Sequence, residues 1–232
     1  MMNTKFTEKF FDECIDAFYK DVGPDFRNRF MRGQLFWTHV YYAYENLELW
    51  RPKDLDETKT YSAEFVITSS KIDAFNRRTP LYTPRLEINE EFIVIRAKRR
   101  PVVLLAPKQE IINTKKIKGG RKVNLNLCVV APLYSVVDQE GSAKYSQDFI
   151  DRIRKLEFPH LFFFSENQNK GIRPSICRLD CIQVCFVNHM EALDLCLDDE
   201  VLNVFLGQVR FYFGGIYEGD YEIYRELLLN QN

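Results

Sequence analysis

The chain has 232 residues and a formal net charge of −1, from 32 basic and 33 acidic side chains. Its 46% apolar and 28% charged residues are the make-up of a globule able to bury a core, and 19 Phe, 12 Tyr and 2 Trp exclude low-complexity disorder. The longest apolar runs are about five residues (102–106 and 127–131), against the roughly 20 that a membrane-spanning helix needs. The opening MMNTKFTEKF lacks the basic, apolar and small-residue order of a secretion signal. A cytoplasmic protein with no membrane partner is expected.

Residues 4–21 carry Phe6, Phe10, Phe11, Cys14, Ile15 and Phe18 at helical spacing, which predicts an amphipathic helix stopped by Gly23-Pro24. A helical extension over 1–29 therefore precedes a main domain over 30–232. At Gln34 the period changes, and QLFWTHVYY has the aromatic and β-branched density of a strand. Residues 43–90 hold a charged stretch at 51–59, a strand at 63–68, and Pro80 and Pro84. They read as an insertion with little regular structure, the inserted segment running over about 43–95.

EFIVIR (91–96) and PVVLLA (101–106) read as strands, Lys118-Gly119-Gly120-Arg121 as a turn, and VNLNLCVVA (123–131) as a strand with one face buried. Phe149, Ile150, Ile153 and Leu156 share a face of a helix over about 146–156. HLFFFS (160–165) and SICRLDCIQVCFV (175–187) return to strand, and a short helix is read near 190–197. Asp198 caps a helix to about Phe213 with Gly214-Gly215 as its stop, and a last helix lies near 221–229. Short strands in succession and then helices predict an α+β fold, a small β-barrel with helical additions.

The six cysteines, at 14, 128, 177, 181, 185 and 196, read as reduced thiols. In one strand Cys177, Cys181 and Cys185 would share a face, and C-x3-C-x3-C lacks the histidine pairing of a zinc site, so neither metal nor cofactor is expected. Phosphate-cradling glycine loops, H-E-x-x-H and G-x-S-x-G are absent from the sequence. Charge is more informative. Residues 96–122 hold ten basic side chains against the single acid Glu110, one landing place for a polyanion, with a solvated basic hairpin as the plainer reading. Three strand ends also carry polar groups: Arg100 before Pro101, Tyr134 and Ser135 at a strand-to-loop corner, and Arg178 with Asp180 at i and i+2. A structural ion pair is the plainer reading of the last.

These residues carry a resemblance. Arg32-Gly33-Gln34-Leu35-Phe36-Trp37 resembles the R-G-[DE]-I-x-W opening strand of the MazF/PemK (Kid) family of toxin endoribonucleases. RPVVLLAP (100–107) is similar to that family's R-P-V-x-V-x-S-P strand, and VVAPLYS (129–135) to its V-x-[AV]-P-[IV]-T-S strand end. SICRLDCIQVC (175–185) resembles its S-x-[VI]-x-x-[DE]-Q-[IP]-R-T-[LI] strand, and DDEVLNVFLGQVRFYFG (198–214) its closing helix. The order agrees over 30–42 and 99–214, about half the chain.

The resemblance implies an SH3-like barrel that cuts single-stranded RNA without metal, as the toxin of a toxin–antitoxin or phage-defence system. The 2′-hydroxyl would attack the neighbouring phosphate, leaving 2′,3′-cyclic phosphate and 5′-hydroxyl ends, in a homodimer neutralised by an antitoxin protein. The family's arginine falls on Arg100, its threonine on Tyr134 with Ser135 next, and its Arg-x-Asp on Arg178 and Asp180. The guanidinium would stabilise the phosphorane, and the carboxylate would serve as base. Arg96, Lys98, Arg99, Lys115, Lys116, Lys118 and Arg121 would hold flanking phosphates, and Tyr134 would stack a base. Cutting requires guanidinium, hydroxyl and carboxylate in one open cleft. Side chains turned to separate surfaces, or a phenol ring in the hollow between them, leave the alternative: a non-catalytic barrel binding nucleic acid or a protein partner. Tyr134 in the threonine's place, and the absence of the family's G-H-E-Q loop before R-P, favour that alternative.

Overall fold

The computed structural model describes residues 9–42, 45–46, 48–52, 65–69, 90–106 and 127–230. The chain divides into two compact units, one from residues 1–40 and 99–232, the other from 41–98. Among the described residues the fold is mixed α+β: a curled antiparallel half-barrel sheet with three helices. Among the described residues no helix is long and apolar enough to cross a membrane.

The first unit is built on β1 (Tyr19–Lys20), β2 (Gln34–Tyr41), β6 (Ala97–Ala106), β7 (Leu127–Ser135), β8 (Leu161–Phe164), β9 (Ser175–Arg178), β10 (Gln183–Phe186) and β11 (Glu191–Leu197). These eight strands form one sheet in the order β1-β11-β2-β6-β7-β9-β8, with β10 also paired to β7. Three helices accompany it: α1 (Gln147–Arg154), α2 (Asp199–Gly214) and α3 (Asp220–Leu229). One core cluster gathers Leu35, Leu133, Phe162, Phe164, Cys177 and, from α2, Val201, Val204 and Phe205. A second gathers Phe36, Val102, Leu104, Cys128 and Val130. Thus β7 is covered on both faces, where its alternation predicted one; Cys128 and Val130 enter one cluster, Ala131 and Leu133 the other. The second unit holds β3 (Glu48–Pro52), β4 (Phe65–Ser69) and β5 (Ile93–Val94) in the order β4-β3-β5. In it Leu49 is buried, and Arg51 forks onto Glu91 at 2.7 and 3.2 Å.

Helix ends follow the side chains available. Ser146 caps α1 by accepting from the Phe149 amide at 3.3 Å, and Asp198 caps α2 by accepting from Glu200. Gly215, with φ 69°, takes the left-handed conformation that ends α2.

Several expectations are corrected. Within the helix expected at 4–21, described residues form a 3₁₀ turn at Phe11–Glu13 and then β1. Tertiary anchors override the helical spacing: Phe11 packs edge-on against Phe162 and Tyr224, Phe18 against Phe164, and Tyr19 and Lys20 pair with Leu197 and Cys196. Residues 191–197 are strand β11, not helix, because β1 and β2 pair with it on both sides. Arg51, read as the start of a charged stretch with little regular structure, lies in β3, and only Ile93–Val94 of 91–96 is strand. The turn at 118–121 lies outside the described residues.

The single strand expected at 175–187 is broken. Registers Leu133↔Cys177 and Val130↔Gln183 leave only Ala131 and Pro132 facing Arg178–Ile182. Pro132 has no N–H for the ladder, and opposite it the chain leaves the sheet in a 3₁₀ turn, Leu179–Cys181. The surplus is three residues, an odd number, so side-chain parity flips across it. Cys177 therefore enters one core cluster and Cys185 the other, rather than sharing a face.

Candidate nucleic-acid interface

The site lies in the first unit, on three adjacent strands. Register Val102↔Pro132 carries Arg100 opposite Tyr134, and Tyr134↔Ile176 places Arg178 on the same face two residues further along β9. Arg100 Cζ lies 4.4 Å from the Tyr134 ring centroid and Arg178 Cζ 5.6 Å from it. Guanidinium, phenol ring and guanidinium thus form a row across β6, β7 and β9, with the ring in the middle.

The 3₁₀ turn then folds Asp180 back onto the row. Arg178 Nε donates to Asp180 Oδ1 at 3.1 Å, and Nη2 donates to Oδ2, a two-pronged pair. Those bonds hold the Asp180 carboxyl below the usual carboxylate range; burial opposes them, and nearby His160 adds a smaller pull downward. Arg178 is raised in turn. Burial pushes the neighbouring Cys181 thiol up, against the pull of Arg178 and a hydrogen bond with Tyr134. His160 is brought close by backbone: its carbonyl accepts from the Leu179 amide at 2.9 Å. A fully buried side chain, Gln208 of α2, clamps the same stretch, its Nε2 donating to the carbonyls of Phe158, Pro159 and Leu161 at 2.9, 3.1 and 2.7 Å.

Beside Tyr134 and Arg178 opens a cavity of about 200 Å³. Tyr145, Phe149 and His160 wall it, and Leu161 and Ile176 contribute its apolar surface. Sequence reasoning missed these residues as site members. Phe149 read only as part of a helix face, Tyr145 lies before that helix and carried no reading, and nothing in the local pattern of 160–165 tied His160 to Asp180.

Of the expected site residues, Arg100, Tyr134, Arg178 and Asp180 come together. Ser135 does not. It follows Tyr134 in a strand and so faces the other way, and its Oγ donates to the Val137 carbonyl at 2.8 Å. Arg99 pairs with Glu191 and lies 4.8 Å over the Trp37 ring. Arg96, in the second unit, pairs with Glu45 and lies 5.9 Å over Tyr42; Lys98, also there, is exposed. Lys115, Lys116, Lys118 and Arg121 lie outside the described residues. All six cysteines are free, and among the described residues no group of three or more His, Cys, Asp or Glu side chains stands ready for a metal ion. No protein-family model, curated protein or solved structure matches the chain.

Proposed function

We propose that the first unit binds single-stranded RNA at the Arg100–Tyr134–Arg178 row, on a barrel of the SH3-like, MazF/PemK type. The row carries this reading: the Arg100 guanidinium beside an aromatic ring, with Arg178 and its carboxylate partner on the other side, suits a phosphate backbone whose bases are unstacked. The order of the five sequence motifs supports the barrel type and RNA as the polyanion. The geometry speaks for holding RNA rather than cutting it. Ser135 offers its hydroxyl to the opposite face, the phenol ring stands between the guanidiniums, and both oxygens of Asp180 are engaged by Arg178. A carboxylate whose proton affinity is lowered in this way is the weaker base.

One observation favours the second reading, a metal-independent endoribonuclease acting as a dimeric toxin restrained by an antitoxin. His160 lines the same cavity as Arg178, and its carbonyl accepts from the Leu179 amide beside Asp180, which places an imidazole that can serve as general acid or base near the pair. One assay separates the two. Labelled single-stranded RNA is titrated in EDTA by fluorescence anisotropy, and the recovered RNA is run on a gel. Binding without cleavage, weakened roughly tenfold or more by Arg100→Ala, is the expected result. Cyclic-phosphate ends that disappear in Arg100→Ala and His160→Ala establish the second reading, and absence of any binding overturns both.

A further inference from the structure

We infer that the cavity beside Tyr134 is a subsite for one unstacked nucleobase of the bound strand, an inference that rests on the RNA-binding reading above. Its volume, about 200 Å³, lies under the ~300–1,000 Å³ of sites for drug-sized ligands and suits a single ring system. Its walls are aromatic. The Tyr145 and Phe149 rings are 5.6 Å apart at 40°, Phe149 and Phe158 are 5.5 Å apart at 49°, and Phe158 meets His160 edge-on at 6.3 Å. Tyr145 keeps 40% of its surface exposed, so stacking area remains for an incoming ring.

The polar groups are placed for a nucleotide rather than for an apolar side chain. Arg178 borders both the cavity and the guanidinium row, so a base inside would leave its own phosphate near the guanidinium that Asp180 holds in place through Nε and Nη2. His160 and Tyr145, both lining the cavity, carry a ring N–H and a hydroxyl, the kinds of group that meet the donors and acceptors on the edge of a base. The walls are also fixed in advance: Ser146 caps the helix bearing Phe149, and Gln208 clamps the chain on both sides of His160.

The test uses single-stranded RNA carrying 2-aminopurine at one position at a time, whose fluorescence falls when the ring stacks on Tyr or Phe. Binding to the full-length chain is expected to quench one position strongly. Tyr145→Ala, which removes a half-exposed ring, should relieve that quenching and weaken binding about tenfold, while the dependence of affinity on salt, set by phosphate contacts, stays the same. Phe149→Ala, with its fold checked by circular dichroism, should do likewise. RNA that binds with no position quenched, or with quenching that survives both substitutions, overturns the subsite and leaves the RNA-binding reading standing. Absence of RNA binding overturns the two together.

Discussion

Arg178 and Asp180 set the electrostatics of the site at the scale of single residues. The spacing in the sequence pointed to this pair, but through the wrong geometry: the two meet across a 3₁₀ turn, not along a strand face. Ser135 illustrates the opposite lesson. Its exclusion was legible, since adjacent residues of a strand face opposite ways, whereas His160 and Tyr145 become neighbours of the pair only through tertiary packing. The pair also sets a pH dependence. Asp180 is depressed in the folded chain, so its stabilisation is fully present above the ordinary carboxylate value and is lost as pH falls through its own lower value. With both partners about one-third exposed, the pair is worth about 1 kcal/mol. Asp180→Asn should therefore lower unfolding free energy by about that much at pH 7. The gap from the native chain should narrow below pH ~4 in urea titrations, and a gap constant through the acid range would show that charge is not its source.

At the scale of elements, α2 was legible because its signals are local: Asp198 as cap, a helical run, and glycine at the end. Residues 9–21 and 191–197 were not, because their partners lie far along the chain, as Tyr19 with Leu197 and Glu191 with Trp37 show. The 175–187 break was half-legible, since Pro132 is visible in the sequence but its register opposite Arg178–Ile182 is not. Two features of α2 make predictions. A Cβ on Gly207 would stand 2.6 Å from Cβ of Tyr221 in α3. Gly207→Ala should therefore lower stability by about 1–3 kcal/mol through overcrowding, although alanine favours an isolated helix by ~1 kcal/mol; a raised melting temperature would mean that the helices yield freely. Gln208→Ala leaves three carbonyls around His160 without their common donor. The expected loss is about 1–3 kcal/mol, together with a shift in the His160 imidazole NMR signals that a purely remote packing defect would not cause.

At the scale of the whole molecule, β2 and β6 are neighbours in the sheet of the first unit, yet residues 41–98 between them form a unit of their own. The sequence marked the place of this interruption through charge and proline, over about 43–95, but not the sheet that it contains. The chain thus reads as a hairpin opened at its turn to admit a second body, an arrangement that surface turns tolerate well. Tyr42 donates its amide to the Arg96 carbonyl at 2.9 Å, which identifies where the two strands come together. Replacing 43–95 by Asn-Gly, the dipeptide suited to a tight hairpin, should therefore leave the first unit folded, with a single cooperative thermal transition and a dispersed amide NMR spectrum. Because Arg100, Tyr134, Arg178 and the cavity beside them all belong to that unit, the shortened chain should hold single-stranded RNA with affinity within a few-fold of the full chain. A shortened chain that unfolds would show that 41–98 completes the core of the first unit. One that folds but releases RNA would move the interface from the guanidinium row to the replaced residues 43–95 of the second unit.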